Sequence, residues 1–109
     1  MIILFLKMSI GRAHVLLAGP PGCGKTRYAM ANMPADGVLV QDAARVVVNA
    51  NATLYLETNR GRDAWARLPA YGSYFSKVLY WTSSDPTQEP EIITKTPKDE
   101  QRWRWFWGL

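Results

Sequence analysis

Gly19-Pro20-Pro21-Gly22-Cys23-Gly24-Lys25-Thr26 spaces its glycines, lysine and threonine as a loop that wraps a chain of phosphates would require. The spacing is G-x-x-x-x-G-K-[ST]. Phosphate oxygens must be approached closely, and glycine allows this because it lacks a Cβ and takes positive φ at no steric cost. Successive backbone N–H groups of Gly19 to Arg27 would then point inward, backed by the positive end of the helix that follows. Lys25 would set an ammonium against the outer phosphates, and the Thr26 hydroxyl would ligate Mg²⁺. A chance match in a chain this size has a probability on the order of 0.01 or less. The motif is therefore specific, and the other signals are weaker.

Turnover needs partners for this loop, and the sequence offers few. Val38-Leu39-Val40-Gln41-Asp42 is a short apolar run ending in an acid. Such a strand would carry the Asp42 carboxylate to the metal's shell. Gln41 interrupts the run, and Ala43 stands where a water-activating glutamate would be sought. Asp42 reads equally well as a turn acid capping a helix over 43–48. Thr53 to Asn59 reads as a strand with a polar end, Glu57-Thr58-Asn59. Asn59 could orient water against a terminal phosphate, and Glu57 is the fallback general base. Asn-Arg-Gly is also ordinary turn chemistry.

These side chains must be positioned by an α/β framework. Ala13–Ala18 reads as a central strand, apolar on both faces. His14 at its start reads as structural rather than catalytic. A helix is expected from Lys25 to Met33, ended by Pro34, and another over Arg62–Leu68. Phe75–Thr82 is the last clear strand, and Ser83–Pro90 is a polar loop. The chain's 109 residues suit one small domain, 1–109, with a three-layer core and a mainly parallel sheet of four or five strands. That is small or truncated for a nucleoside triphosphatase. Met1–Leu6 is either an extra strand or a stretch ahead of a true start at Met8.

Composition narrows the setting. One cysteine, Cys23, allows no disulfide within the chain, which suits a reducing cell interior and not secretion. Inside the loop it reads as a spacer, with redox regulation the lesser alternative. No apolar run is long enough to cross a membrane. A net charge of +4 is compatible with nucleic acid. Arg60, Arg62 and Lys77 are candidate DNA contacts, and Arg67 reads as solvated. The tail over 98–109 contains Arg102-Trp103-Arg104-Trp105-Phe106-Trp107. As an extended segment it would put three tryptophans on one side. It could pack on the core as an edge strand, dock a partner or second copy, or bind single-stranded nucleic acid or a membrane interface.

The run 19–29, Gly-Pro-Pro-Gly-Cys-Gly-Lys-Thr-Arg-Tyr-Ala, resembles P-loop ATPases of the AAA+ type. Among them it looks most like the superfamily 3 helicase domain of replication-initiator proteins from small circular single-stranded DNA viruses. Leu54–Asn59, Trp65, Leu68-Pro69 and Phe75–Trp81 follow in that family's order. The resemblance implies ATP (or GTP) and Mg²⁺ as ligands, and hydrolysis coupled to DNA replication. It also implies an oligomer with a neighbour's arginine finger, and Asn59 as the γ-phosphate sensor. The family places an acidic Walker B strand between loop and sensor, where this chain offers only Asp42. A phage assembly ATPase is a second likeness, on the same loop and Val38–Val47. A nucleotide-binding module without turnover, a small-molecule kinase and a DNA-binding accessory protein are the alternatives.

Overall fold

The computed structural model describes residues 3–5, 13–41, 45–47 and 52–109; for 3–5 and 45–47 it describes the backbone alone. Strands β1 (Ile3–Phe5) and β4 (Arg45–Val47) form a parallel pair of their own. Five others form the main sheet: β2 (His14–Ala18), β3 (Gly37–Gln41), β5 (Thr53–Thr58), β6 (Phe75–Tyr80) and β7 (Glu91–Thr94). Their order is β3-β5-β2-β6-β7, parallel except for β7. The domain is thus α/β with a five-stranded, mainly parallel sheet. All of β2 is buried, which is why its sequence is apolar on both faces.

Alternation along the strands sorts the core. Leu16, Ala18, Leu54, Leu56 and Val78 pack with Trp65, Trp103, Phe106 and Trp107. Val15, Leu17, Tyr55, Leu79 and Trp81 pack with Cys23 and Ala29. Helix α1 (Lys25–Asn32) therefore lies against one face. Helices α2 (Arg62–Trp65) and α3 (Glu100–Trp107) lie against the other.

Three expectations change. The tail is a helix, not an extended segment. Trp103, Phe106 and Trp107 are its buried residues, at the i, i+3, i+4 spacing of one helical face. The Arg–Trp alternation suggested period two, and Phe106-Trp107 break it. Gly108 ends the helix at φ 72°. Asp99 secures its start: the carboxylate accepts from Thr94 Oγ1 at 2.7 Å and from Thr94 N at 3.1 Å. Those bonds hold its pKa below the ordinary carboxylate range.

The helix expected over 43–48 is replaced, at Arg45–Val47, by β4. β-branched Val46-Val47-Val48 favours a strand. Strand β7 went unpredicted because it is a short edge beyond a proline-containing loop. The stretch at 1–7 does contain a strand, β1, paired outside the main sheet.

His14 is structural. It is fully buried, and its Nδ1 accepts from Leu54 N at 3.0 Å, tying the start of β2 to β5. His14→Ala would leave that N–H without its acceptor, at a cost of about 1–3 kcal/mol. His14→Asn, which keeps an acceptor at a similar reach, should recover part of the loss in urea denaturation. Equal stability of all three proteins would contradict the role.

Candidate functional site

The loop 19–26 leaves the buried end of β2 and enters α1. Gly19 N donates to Thr58 O at 3.2 Å, and Trp81 N donates to Ala18 O at 2.9 Å. The loop is thereby pinned between β5 and β6. A Cβ on Gly19 would lie 2.7 Å from Trp81 Cβ, so only glycine fits there. Gly22 and Gly24 have φ of 80° and 105°, left-handed backbone that favours glycine. Gly24 also caps α1. No side chain caps that end, and no acid stands in its first turn. Its leading N–H groups thus have no side-chain cap and no acid within their own turn.

Lys25 is only 4% exposed. Its ammonium donates to Gly19 O at 2.7 Å and Pro20 O at 2.8 Å, and lies 3.7 Å from Cys23 Sγ. The two closest partners are backbone carbonyls, and no carboxylate is among the three. Cys23 is buried among Val15, Leu17 and Ala29, as a spacer would be. Thr26 is exposed, and its Oγ1 lies 2.9 and 2.8 Å from the two carboxylate oxygens of Glu57.

Strand register explains that contact. Glu57 stands level with Leu17 of β2 and with Gln41 of β3. Paired residues share a face, so all three point toward α1. Asn59, two residues beyond Glu57, follows the same alternation. A polar cavity of about 380 Å³ opens there, lined by Pro21, Gly22, Lys25, Gln41, Glu57 and Asn59. A second cavity of about 280 Å³ borders the same loop through Cys23 and Gly24, with Arg27, Tyr28, Trp81 and Gln88 on its walls. Tyr28 and Trp81 meet edge to face at 6.0 Å. The larger cavity of about 430 Å³ lies far from this chemistry, against Lys95, Trp103 and Arg104 of the C-terminal segment.

The structure thus brings Pro21, Gly22, Lys25 and Asn59 to one cavity, with Cys23, Gly24 and Arg27 on the neighbouring one. Asp42 lies outside the described residues. Glu57, the fallback base, rests its carboxylate on the loop threonine and is not held apart as a base would be. The signal was its place two residues before Asn59. Among the described residues, no cluster of three or more His, Cys, Asp or Glu could hold a metal by itself. The oxygen donors of Thr26 and Glu57 nevertheless suit Mg²⁺, which uses one or two carboxylates and completes its shell with phosphate and water.

The candidate DNA contacts do not form one surface. Arg62 donates through Nε to Trp105 O at 3.0 Å, and its guanidinium lies 4.5 Å from the Trp105 ring centroid. Arg102 lies over the same ring at 4.0 Å and pairs with Glu91. Lys77 is level with Val15, so it faces α1, across the sheet from the tail helix. Arg60 and Arg67 are exposed. Among the described residues no helix is long and apolar enough to cross a membrane.

Compared with protein-family models, curated proteins and solved structures, the chain matches none.

Proposed function

We propose that this chain binds a nucleoside triphosphate, ATP or GTP, with Mg²⁺ at loop 19–26, and releases its terminal phosphate to water. The observation that carries the reading is the loop itself. Left-handed glycines lead into Lys25 and Thr26 at an uncapped helix start, facing a polar cavity. The loop also lies where the chain reverses its direction across the sheet. From β2 it crosses to β3 and β5 on one side, and then to β6 on the other. Ligands of open α/β sheets bind at such points, beyond the C-terminal strand ends. On this reading the helices and sheet make a three-layer P-loop NTPase core of reduced size.

The residues then divide the work. Backbone N–H groups from Gly19 to Arg27 hold the phosphates. Lys25 exchanges its carbonyl contacts for β- and γ-phosphate oxygens. The Thr26 hydroxyl takes a place in the Mg²⁺ shell, and Asn59 orients water. When bound, Mg²⁺ neutralises charge that develops on the phosphate oxygens. Among the described residues the cavity's carboxylate is Glu57, and its contact with Thr26 leaves none held apart as a base. Hydrolysis is therefore slow, or waits on a partner. The resemblance makes that partner a second copy supplying an arginine, with single-stranded DNA as the polymer handled in viral replication. The contact of Glu57 with Thr26 favours, as a second reading, a binding module without turnover.

Thermal melting with and without Mg-ATP tests binding, and phosphate release with and without single-stranded DNA tests turnover. Melting should rise with Mg-ATP, and DNA-stimulated release would support the helicase-like reading. Binding with no release in either condition would assign the non-hydrolysing module. Transfer of phosphate to a small-molecule acceptor would assign a kinase. No melting shift with ATP or GTP would refute the proposal.

A further inference from the structure

We infer that Glu57, and not Asp42, is the acid that holds the nucleotide's metal, so that β5 and the residue just past its end supply both the metal contact and the γ-phosphate contact. The inference rests on the nucleotide-binding reading. Three observations carry it. Both Glu57 oxygens lie 2.8–2.9 Å from Thr26 Oγ1, the hydroxyl that would enter the metal's shell. The Glu57 backbone is fixed on two sides, by Leu17 of β2 and by Gln41 of β3. Asn59 lines the same cavity two residues later.

Chemistry agrees with this placement. A hydroxyl between a carboxylate and a cation donates its proton to the carboxylate and turns its lone pairs to the metal. An adjacent carboxylate adds a hard oxygen donor of the kind Mg²⁺ prefers. Thr26 is exposed, so its bond to Glu57 adds little to the fold itself. The family resemblance assigns the metal acid and the phosphate sensor to separate strands. Here Glu57 lies on β5 and Asn59 is the first residue past its end, about 7 Å further along the chain. Metal binding and phosphate sensing cannot then shift relative to each other by strand sliding.

The test compares the affinity of the full chain for fluorescent ATP and ADP analogues in Mg²⁺ and in EDTA. Electron paramagnetic resonance of Mn²⁺ with ATP reports the metal directly. In the wild type, Mg²⁺ should raise ATP affinity about tenfold or more, and Glu57→Gln should erase that gain. Metal-free ADP binding by Glu57→Gln should be at least as tight as in wild type, because the lost carboxylate would repel unneutralised phosphate, and this also shows that its site is folded. Glu57→Asp, which keeps the charge but withdraws it by one methylene, should lose most of the gain. It decides the matter if Glu57→Gln fails to fold. Asp42→Asn, the competing acid, is measured beside them. Retention of the Mg²⁺ gain by Glu57→Gln, or its loss in Asp42→Asn, overturns the inference. Wild type that binds nucleotide equally with and without Mg²⁺ overturns this inference alone. Wild type that binds no nucleotide in either condition overturns the function as well.

Discussion

Lys25→Ala is expected to abolish the stabilisation of this protein by Mg-ATP while leaving its fold intact. At a hundred times its Kd, a ligand adds about 2.7 kcal/mol of stability. For a domain near this size that is a rise in Tm of roughly 10–20 °C. The variant should show almost none of it. Phosphate binding at the loop needs a cation, and the Lys25 ammonium already reaches the Gly19 and Pro20 carbonyls. The fold should survive because the ammonium of this buried lysine gains much of its compensation from carbonyls beside an open polar cavity. Water can replace the ammonium on those carbonyls, and the desolvation of a buried charge is relieved. Lys25→Arg should also fail, since a planar fork cannot occupy the gap of a compact ammonium. An unchanged Mg-ATP shift in Lys25→Ala would mean that nucleotide does not bind at this loop.

The parts of the site that were readable are those fixed by local chemistry. Glycine at 22 and 24, lysine at 25 and threonine at 26 are demanded by backbone conformation and charge within eight residues. The flanking strand and helix announced themselves through an unbroken apolar run and a proline stop. Glu57 was harder because its role depends on register. It matters only because β5, and not another strand, lies beside β2 with Leu17 level with it. No spacing in the sequence states which strands are neighbours.

The tail shows the opposite failure. Residues 102–105 alternate as a strand would, and local pattern alone favours extension. Packing overrides it, because the helical turn brings Trp103, Phe106 and Trp107 together onto Leu16, Leu54 and Val78. The basic residues divide between two faces for a related reason. Arg62 and Lys77 are both basic, but the sheet separates them. Arg62 is also engaged with the backbone and ring of Trp105.

The helical tail makes a second large effect expected: Trp107→Ala should cost about 3–5 kcal/mol, out of the roughly 5–15 kcal/mol typical of a whole domain. Trp107 is fully buried. It stacks on Phe75 at 5.9 Å and meets Trp65 edge to face at 6.1 Å. Its ring also rests on the turn at 69–73, where a Cβ on Gly72 would come within 3.2 Å of Trp107 Cγ. Trp105→Ala should cost only about 0.5–1 kcal/mol, because that residue is 39% exposed and its ring meets the Arg62 and Arg102 guanidiniums and the Tyr80 ring at the surface. An extended tail would make positions 103, 105 and 107 equivalent, so near-equal losses at 105 and 107 in urea denaturation would contradict the helix. Trp107→Phe separates ring packing from the indole N–H. That N–H is buried without an acceptor among the described residues. Phenylalanine removes the unsatisfied donor and keeps an aromatic ring on Phe75, so it should cost clearly less than alanine. All three changes lie on the face of the sheet opposite α1. In whatever fraction of each variant remains folded, the Mg-ATP response of the loop should therefore persist.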